Sequence, residues 1–102
     1  MDKGKSIELA QHYIDKVSAR YKIRRAFLFG SYAKGNHHAD SDIDVAIVFA
    51  NVANLFDTQI ELMQLRRDGD LIIEPHVFRE EDFTGNNPLV SEIIKNNIEL
   101  AV

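Results

Sequence analysis

Two aspartates, Asp42 and Asp44, stand two residues apart inside the run GSYAKGNHHADSDIDV, residues 30–45 of a 102-residue chain. On an extended strand that spacing sends both carboxylates to one face and Ile43 into the opposite layer. Two like charges about 7 Å apart along a strand repel unless a cation sits between them. Hard oxygen ligands on a rigid strand suit magnesium, which keeps waters and completes its shell with phosphate oxygens. Upstream, Gly30 lets the backbone approach a ligand closely. Ser31 then begins a helical turn whose free amides and positive dipole end suit a phosphate. The Ser31 hydroxyl adds a donor and Lys34 a charge at the rim. A phosphate cradle beside paired carboxylates is what phosphoryl or nucleotidyl transfer requires, because that chemistry is mostly positioning and charge neutralisation.

Such a site calls for a third carboxylate, to ligate a second metal or to take the proton of an attacking hydroxyl. Ile72, Glu74, His76 and Phe78 alternate onto one face of a later strand. Glu74 is the choice because it sits mid-strand between apolar neighbours, where a lone charge is costly. Asp70, at the strand entrance, is the competitor and reads as a solvated turn residue. His37 and His38 read as a solvated loop, His76 as a hydrogen-bonded strand histidine, Arg66 and Arg67 as solvating charges, and Tyr32 as packing under the loop.

The elements that must position these groups follow from periodicity. Ile7, Ala10, Tyr13, Ile14, Val17 and Tyr21 recur at three and four and predict a helix over residues 6–21. Residues 23–29 are aromatic and β-branched enough for a strand that stops at Gly30. Residues 31–34 make one turn, which Gly35 ends. Residues 42–50 predict a strand buried on both faces, hence central. Asn51 caps a helix carrying Leu55, Phe56, Leu62 and Met63 up to Arg67. A strand over 71–78 follows, placed at an edge by Pro75. Last comes a helix entered by Asn87-Pro88, with Leu89, Val90, Ile93, Ile94 and Ile98 as its stripe. The expected fold class is α/β: one small mixed β-sheet flanked by helices, in a single domain over residues 1–102. Any apolar stripe residue left exposed would mark a partner surface.

Composition narrows the function classes. A net charge of -4 argues against an extended nucleic-acid surface, which needs clustered Lys and Arg. No cysteine is present, so disulfides and thiolate chemistry are excluded. No apolar run is long enough to cross a bilayer and no signal-peptide pattern opens the chain, so a cytoplasmic location is expected. Association with copies of itself stays open.

The run GSYAKGNHHADSDID resembles the Gly-Ser, then Asp-x-Asp, signature of the DNA polymerase β nucleotidyltransferase superfamily. The whole chain looks like its minimal nucleotidyltransferase (MNT) type. The resemblance implies the nucleotidyltransferase fold and adenylyl transfer with ATP and one or two Mg2+ ions. It puts Gly30 and Ser31 on the triphosphate, Asp42 and Asp44 on metal, and Glu74 at the third carboxylate. It also implies an acceptor on a HEPN-like partner protein, as for MNT antitoxins of toxin–antitoxin pairs. The alternatives are a non-catalytic partner-binding antitoxin and an aminoglycoside-type nucleotidyltransferase subunit.

Overall fold

The computed structural model describes the backbone of residues 1–102 and every side chain except that of Asp68. Its core is a four-stranded sheet of order β3-β2-β1-β4, with β1 at Ile23–Phe29, β2 at Ile43–Phe49, β3 at Ile73–Arg79 and β4 at Ile98–Leu100. β2 and β3 run parallel, while β1 is antiparallel to both of its neighbours. The sheet is therefore mixed, as expected, with β2 internal and the proline-bearing β3 at an edge.

Helix α1, Lys3–Ser18, starts earlier than its apolar stripe suggests, because Asp2 caps it by accepting from the Lys5 amide at 2.7 Å. Its Ala10, Tyr13, Ile14 and Val17 pack against the face of the sheet formed by Ala26, Leu28, Ile43, Val45, Ile47 and Ile73. Helix α3, Leu55–Gln64, covers β3 on that same side through Leu62. The buried Tyr13 hydroxyl donates to the Leu62 carbonyl at 2.5 Å and links the two helices; burial raises the phenol above its usual range. Helix α4, Pro88–Lys95, closes the other face with Val90 and Ile93 against Phe27, Phe29, Ala46, Val48 and Phe78. The remaining α-helical segment among the described residues is the four-residue turn α2, Ser31–Lys34; single 3-10 turns lie at Asp68–Asp70 and Glu80–Asp82.

Four expectations are corrected. Asn54, not Asn51, caps α3, accepting from the Asp57 amide at 3.0 Å. That helix ends at Gln64 rather than Arg67. Phe56 and Met63 are not core: they lie exposed with Ile60 on the outer side of α3, and Ile94 is exposed on α4. Ile98 is not helical either. Helix α4 stops at Lys95, and the chain returns as β4, pairing Leu100 with Ala26 and Ile98 with Leu28. No helix among the described residues is long and apolar enough to cross a membrane.

Both outer edges of the sheet are bridged by a glutamine amide, which has the same donor–acceptor pair as a peptide. Gln59 of α3 donates to the Pro75 carbonyl (2.6 Å) and accepts from the Val77 amide (3.1 Å). Gln11 of α1 donates to the Ala101 carbonyl and accepts from the Ala101 amide, both at 2.9 Å. These bridges satisfy backbone groups that an open edge would leave free to pair with another chain. Replacing Gln59 by Leu should lower stability by about 1 kcal/mol in urea unfolding. Gln11→Leu, at a more exposed edge, should cost less.

Candidate functional site

Sheet register assembles the site. Asp44, near the start of β2, is flanked by Phe29 of β1 on one side and by Glu74 of β3 on the other. Glu74 and Asp44 are direct cross-strand partners in a parallel ladder, so their carboxylates leave the same face on strands about 4.8 Å apart. Asp42 lies exposed just ahead of the first residue of β2 rather than within the strand, and Ile43 between them is fully buried in the opposite core.

β1 ends at Phe29, and the chain turns through Gly30 into α2. Gly30 has φ 74° and ψ -152°, a conformation that side chains rarely adopt. A Cβ built there would stand 2.3 Å from Asp44 Oδ2, so the Asp44 carboxylate would have to move to admit it. The absence of a side chain at residue 30 thus lets the Asp44 carboxylate lie against the backbone that begins α2. The other carboxylate oxygen, Oδ1, is 3.2 Å from His76 Nε2. The His76 ring packs edge-on against Phe29, with centroids 5.1 Å apart. The hydrogen-bonded strand histidine expected from the sequence is what the structure shows.

The loop between α2 and β2 is folded on itself. Gly35, at φ 82°, closes α2 with its amide on the Ser31 carbonyl at 2.9 Å. The Ser41 hydroxyl accepts from the His38 amide, and the Ser41 amide donates to the His38 carbonyl. Tyr32 is fully buried, and His37 stacks on it at 4.3 Å. The Tyr32 hydroxyl and His37 Nδ1 are both buried without a protein partner. His37 is therefore part of the loop's internal packing, while the side chain of His38 is exposed, as expected of a solvated loop.

The charged residues divide by location. Lys34 does not project freely at the rim: it pairs with Glu92 of α4 at 2.5 Å, and its hydrogen bond holds the Glu92 carboxyl below the usual carboxylate range. Asp70 is not a solvated turn residue. It is buried and paired with Lys16 of α1, on the face away from Asp44, which leaves Glu74 as the carboxylate beside Asp44. Arg66 is more than a solvating charge. Its guanidinium donates to the Met63 and Ile73 carbonyls, both at 3.0 Å, and stands 4.0 Å from Glu74. Nothing local in the sequence announced Arg66, because Glu74 lies on another element.

Among the described residues, no three His, Cys, Asp or Glu side chains meet as a protein-only metal cluster. The donors present fit magnesium instead. They are oxygen carboxylates, one half-buried and fixed, beside a backbone turn that a ligand can approach; magnesium takes one or two such groups and fills its shell with water and phosphate. The Gly30 contact gives a direct test of the geometry. Gly30→Ala must bear both a left-handed backbone and the clash with Asp44, whereas Gly35→Ala meets nothing within 4 Å and bears only the backbone cost of about 1–2 kcal/mol. In urea unfolding Gly30→Ala should lose at least about 1 kcal/mol more than Gly35→Ala.

Comparison with known proteins gives the family of the chain. The family described as "Polymerase beta, Nucleotidyltransferase" matches residues 11–101. The chain is 26% identical to the protein adenylyltransferase MntA of Shewanella oneidensis, over 83% of this chain and 66% of that protein, just under two thirds of its length. It is also 26% identical to a Methanocaldococcus jannaschii protein that carries the name of a protein adenylyltransferase, MJ0141, over 92% of this chain and 97% of that one. In fold it is similar to a Sulfolobus solfataricus protein assigned as a nucleotidyltransferase, with TM-score 0.69, 21% identity, and 95% and 80% of the two chains covered. Two chains from toxin–antitoxin crystal structures overlay at TM-scores of 0.55 and 0.56. One structure contains AMP-PNP (21% identity; 99% of this chain and 73% of that chain covered). The other is tri-AMPylated Shewanella oneidensis HEPN toxin in complex with MNT antitoxin (18% identity; 93% and 71% covered). With a family match that runs through nearly the whole chain and includes both β1–α2 and the Asp42–Asp44 pair, the protein belongs to the polymerase beta nucleotidyltransferase family.

Proposed function

We propose that this chain is a magnesium-dependent adenylyltransferase that moves AMP from ATP onto a hydroxyl of a HEPN-like partner protein, as an MNT-type antitoxin. The observation that carries the transfer chemistry is the placing of Asp44 between Gly30 and Glu74 on one face of the sheet. Adenylyl as the group and a protein as the acceptor are supported by the names of the relatives and of the toxin–antitoxin structures.

In this reading the first amides of α2, which have no intrahelical partner, and the Ser31 hydroxyl hold the β and γ phosphates of ATP. Asp42, Asp44 and Glu74 offer oxygen ligands on the adjacent face. Magnesium, when bound, neutralises triphosphate charge and polarises the α-phosphate. The acceptor hydroxyl forms its bond to the α-phosphorus as the bond to the β-phosphate oxygen breaks. Pyrophosphate leaves, and the hydroxyl proton passes to Glu74 or to water. Lys34 holds α2 against α4 through Glu92, and its remaining N–H donors face the triphosphate from the rim in this reading.

With ATP labelled at the α-phosphate, Mg2+ and the partner as acceptor, Asp44→Asn should lower transfer by about 100-fold or more. Undiminished transfer would remove Asp44 from the site. A second reading, a module that acts by docking alone, is favoured by the exposed Phe56, Ile60 and Met63 on α3. On that reading an Asp42→Asn, Asp44→Asn double variant still neutralises the partner. On the enzymatic reading it does not.

A further inference from the structure

Along β3, Glu74, His76 and Phe78 share the face that bears Asp44. His76 stands opposite Ala46, one same-face step beyond the Asp44–Glu74 pair, so its imidazole reaches back diagonally across the strand boundary to Asp44. A carboxylate only accepts hydrogen bonds, so the bond at 3.2 Å requires the proton on His76 Nε2. The ring is held in turn by its edge contact with Phe29, and is itself only 30% exposed.

Asp44 is thereby constrained from two sides. Oδ2 lies against the Gly30 backbone, in space open only because residue 30 lacks a side chain, and Oδ1 is tied to His76. Rotation about the Asp44 side-chain bonds would break the bond at Oδ1 or move the carboxylate away from Gly30. Neither contact uses up the acceptor capacity of the two oxygens, since each retains a free lone pair. Because His76 commits Nε2 to Asp44, it is poorly placed to act as the base for an incoming hydroxyl. Its chemistry is directed at the carboxylate.

We propose that His76 is a positioning residue, which locks Asp44 in the orientation that presents its carboxylate, preformed, to a divalent cation carried by a nucleoside triphosphate. The inference rests on the nucleotidyl-transfer reading above and adds to it a residue that acts through Asp44 without touching substrate. Ordered partners of ligating carboxylates typically govern affinity by 10–100-fold, because the ligand's orientation is fixed before the ion arrives.

The test is Mn2+ binding, followed by electron paramagnetic resonance with AMP-PNP as the nucleotide, in the whole chain and two variants. His76→Leu keeps apolar bulk against Phe29 but removes the donor; His76→Gln keeps an N–H donor near the position of Nε2. His76→Leu should weaken Mn2+ binding at least about 10-fold, His76→Gln should recover most of that loss, and urea unfolding should show both as stable as the parent. Unchanged Mn2+ binding in His76→Leu would overturn the proposal. So would equal losses in the two variants, or a loss that merely tracks unfolding. A parent chain that takes up no Mn2+ with AMP-PNP would instead overturn the nucleotidyl-transfer reading itself.

Discussion

The carboxylate of Asp44 occupies the space that any side chain on residue 30 would need. That single exclusion connects the end of β1 to the start of β2 and sets the shape of the site. It demands glycine in a left-handed backbone at the point where the chain leaves the sheet for α2. It also brings the unpaired amides of a helical turn, which suit an anion, next to an acidic group, which suits a cation. The register of the sheet then supplies Glu74 as the nearest neighbour on the far side.

The rigidity of this arrangement comes from where it sits. β1 and β2 are the two internal strands, and their odd- and even-numbered residues fill separate cores beneath α1–α3 and α4. A carboxylate at the mouth of such a strand is held by packing on both sides, so little reorganisation is needed when charge develops beside it. The charged pairs around the site act on the frame instead. Lys34–Glu92 fastens α2 to α4, Lys16–Asp70 fastens α1 to the approach to β3, and Arg66 joins the end of α3 to β3 beside Glu74.

Much of this was legible in the sequence, and the rest failed for identifiable reasons. Gly30, Ser31, Asp42 and Asp44 lie within one short segment, so their spacing alone carried the chemistry; Glu74 followed from strand alternation. Asp70 reads locally as a solvated turn residue because its partner, Lys16, is 54 residues away, and the Lys34–Glu92 pair, 58 residues apart, is equally beyond any local pattern. Helix α3 has two apolar stripes with valid helical spacing, Leu55–Leu62 and Phe56–Ile60–Met63, and only packing against β3 decides which is buried. β4 was missed because Ile98 continues the spacing of Ile94, although Asn96 and Asn97 interrupt the helix before it.

The most direct measurement is anomalous diffraction from crystals grown with Mn2+ and AMP-PNP. The account predicts an ion in direct contact with Asp42 and Asp44, beside Glu74, and bridged to phosphate oxygens seated over Gly30 and Ser31. An ion bound elsewhere, or a triphosphate lying away from the Gly30 turn, would contradict it.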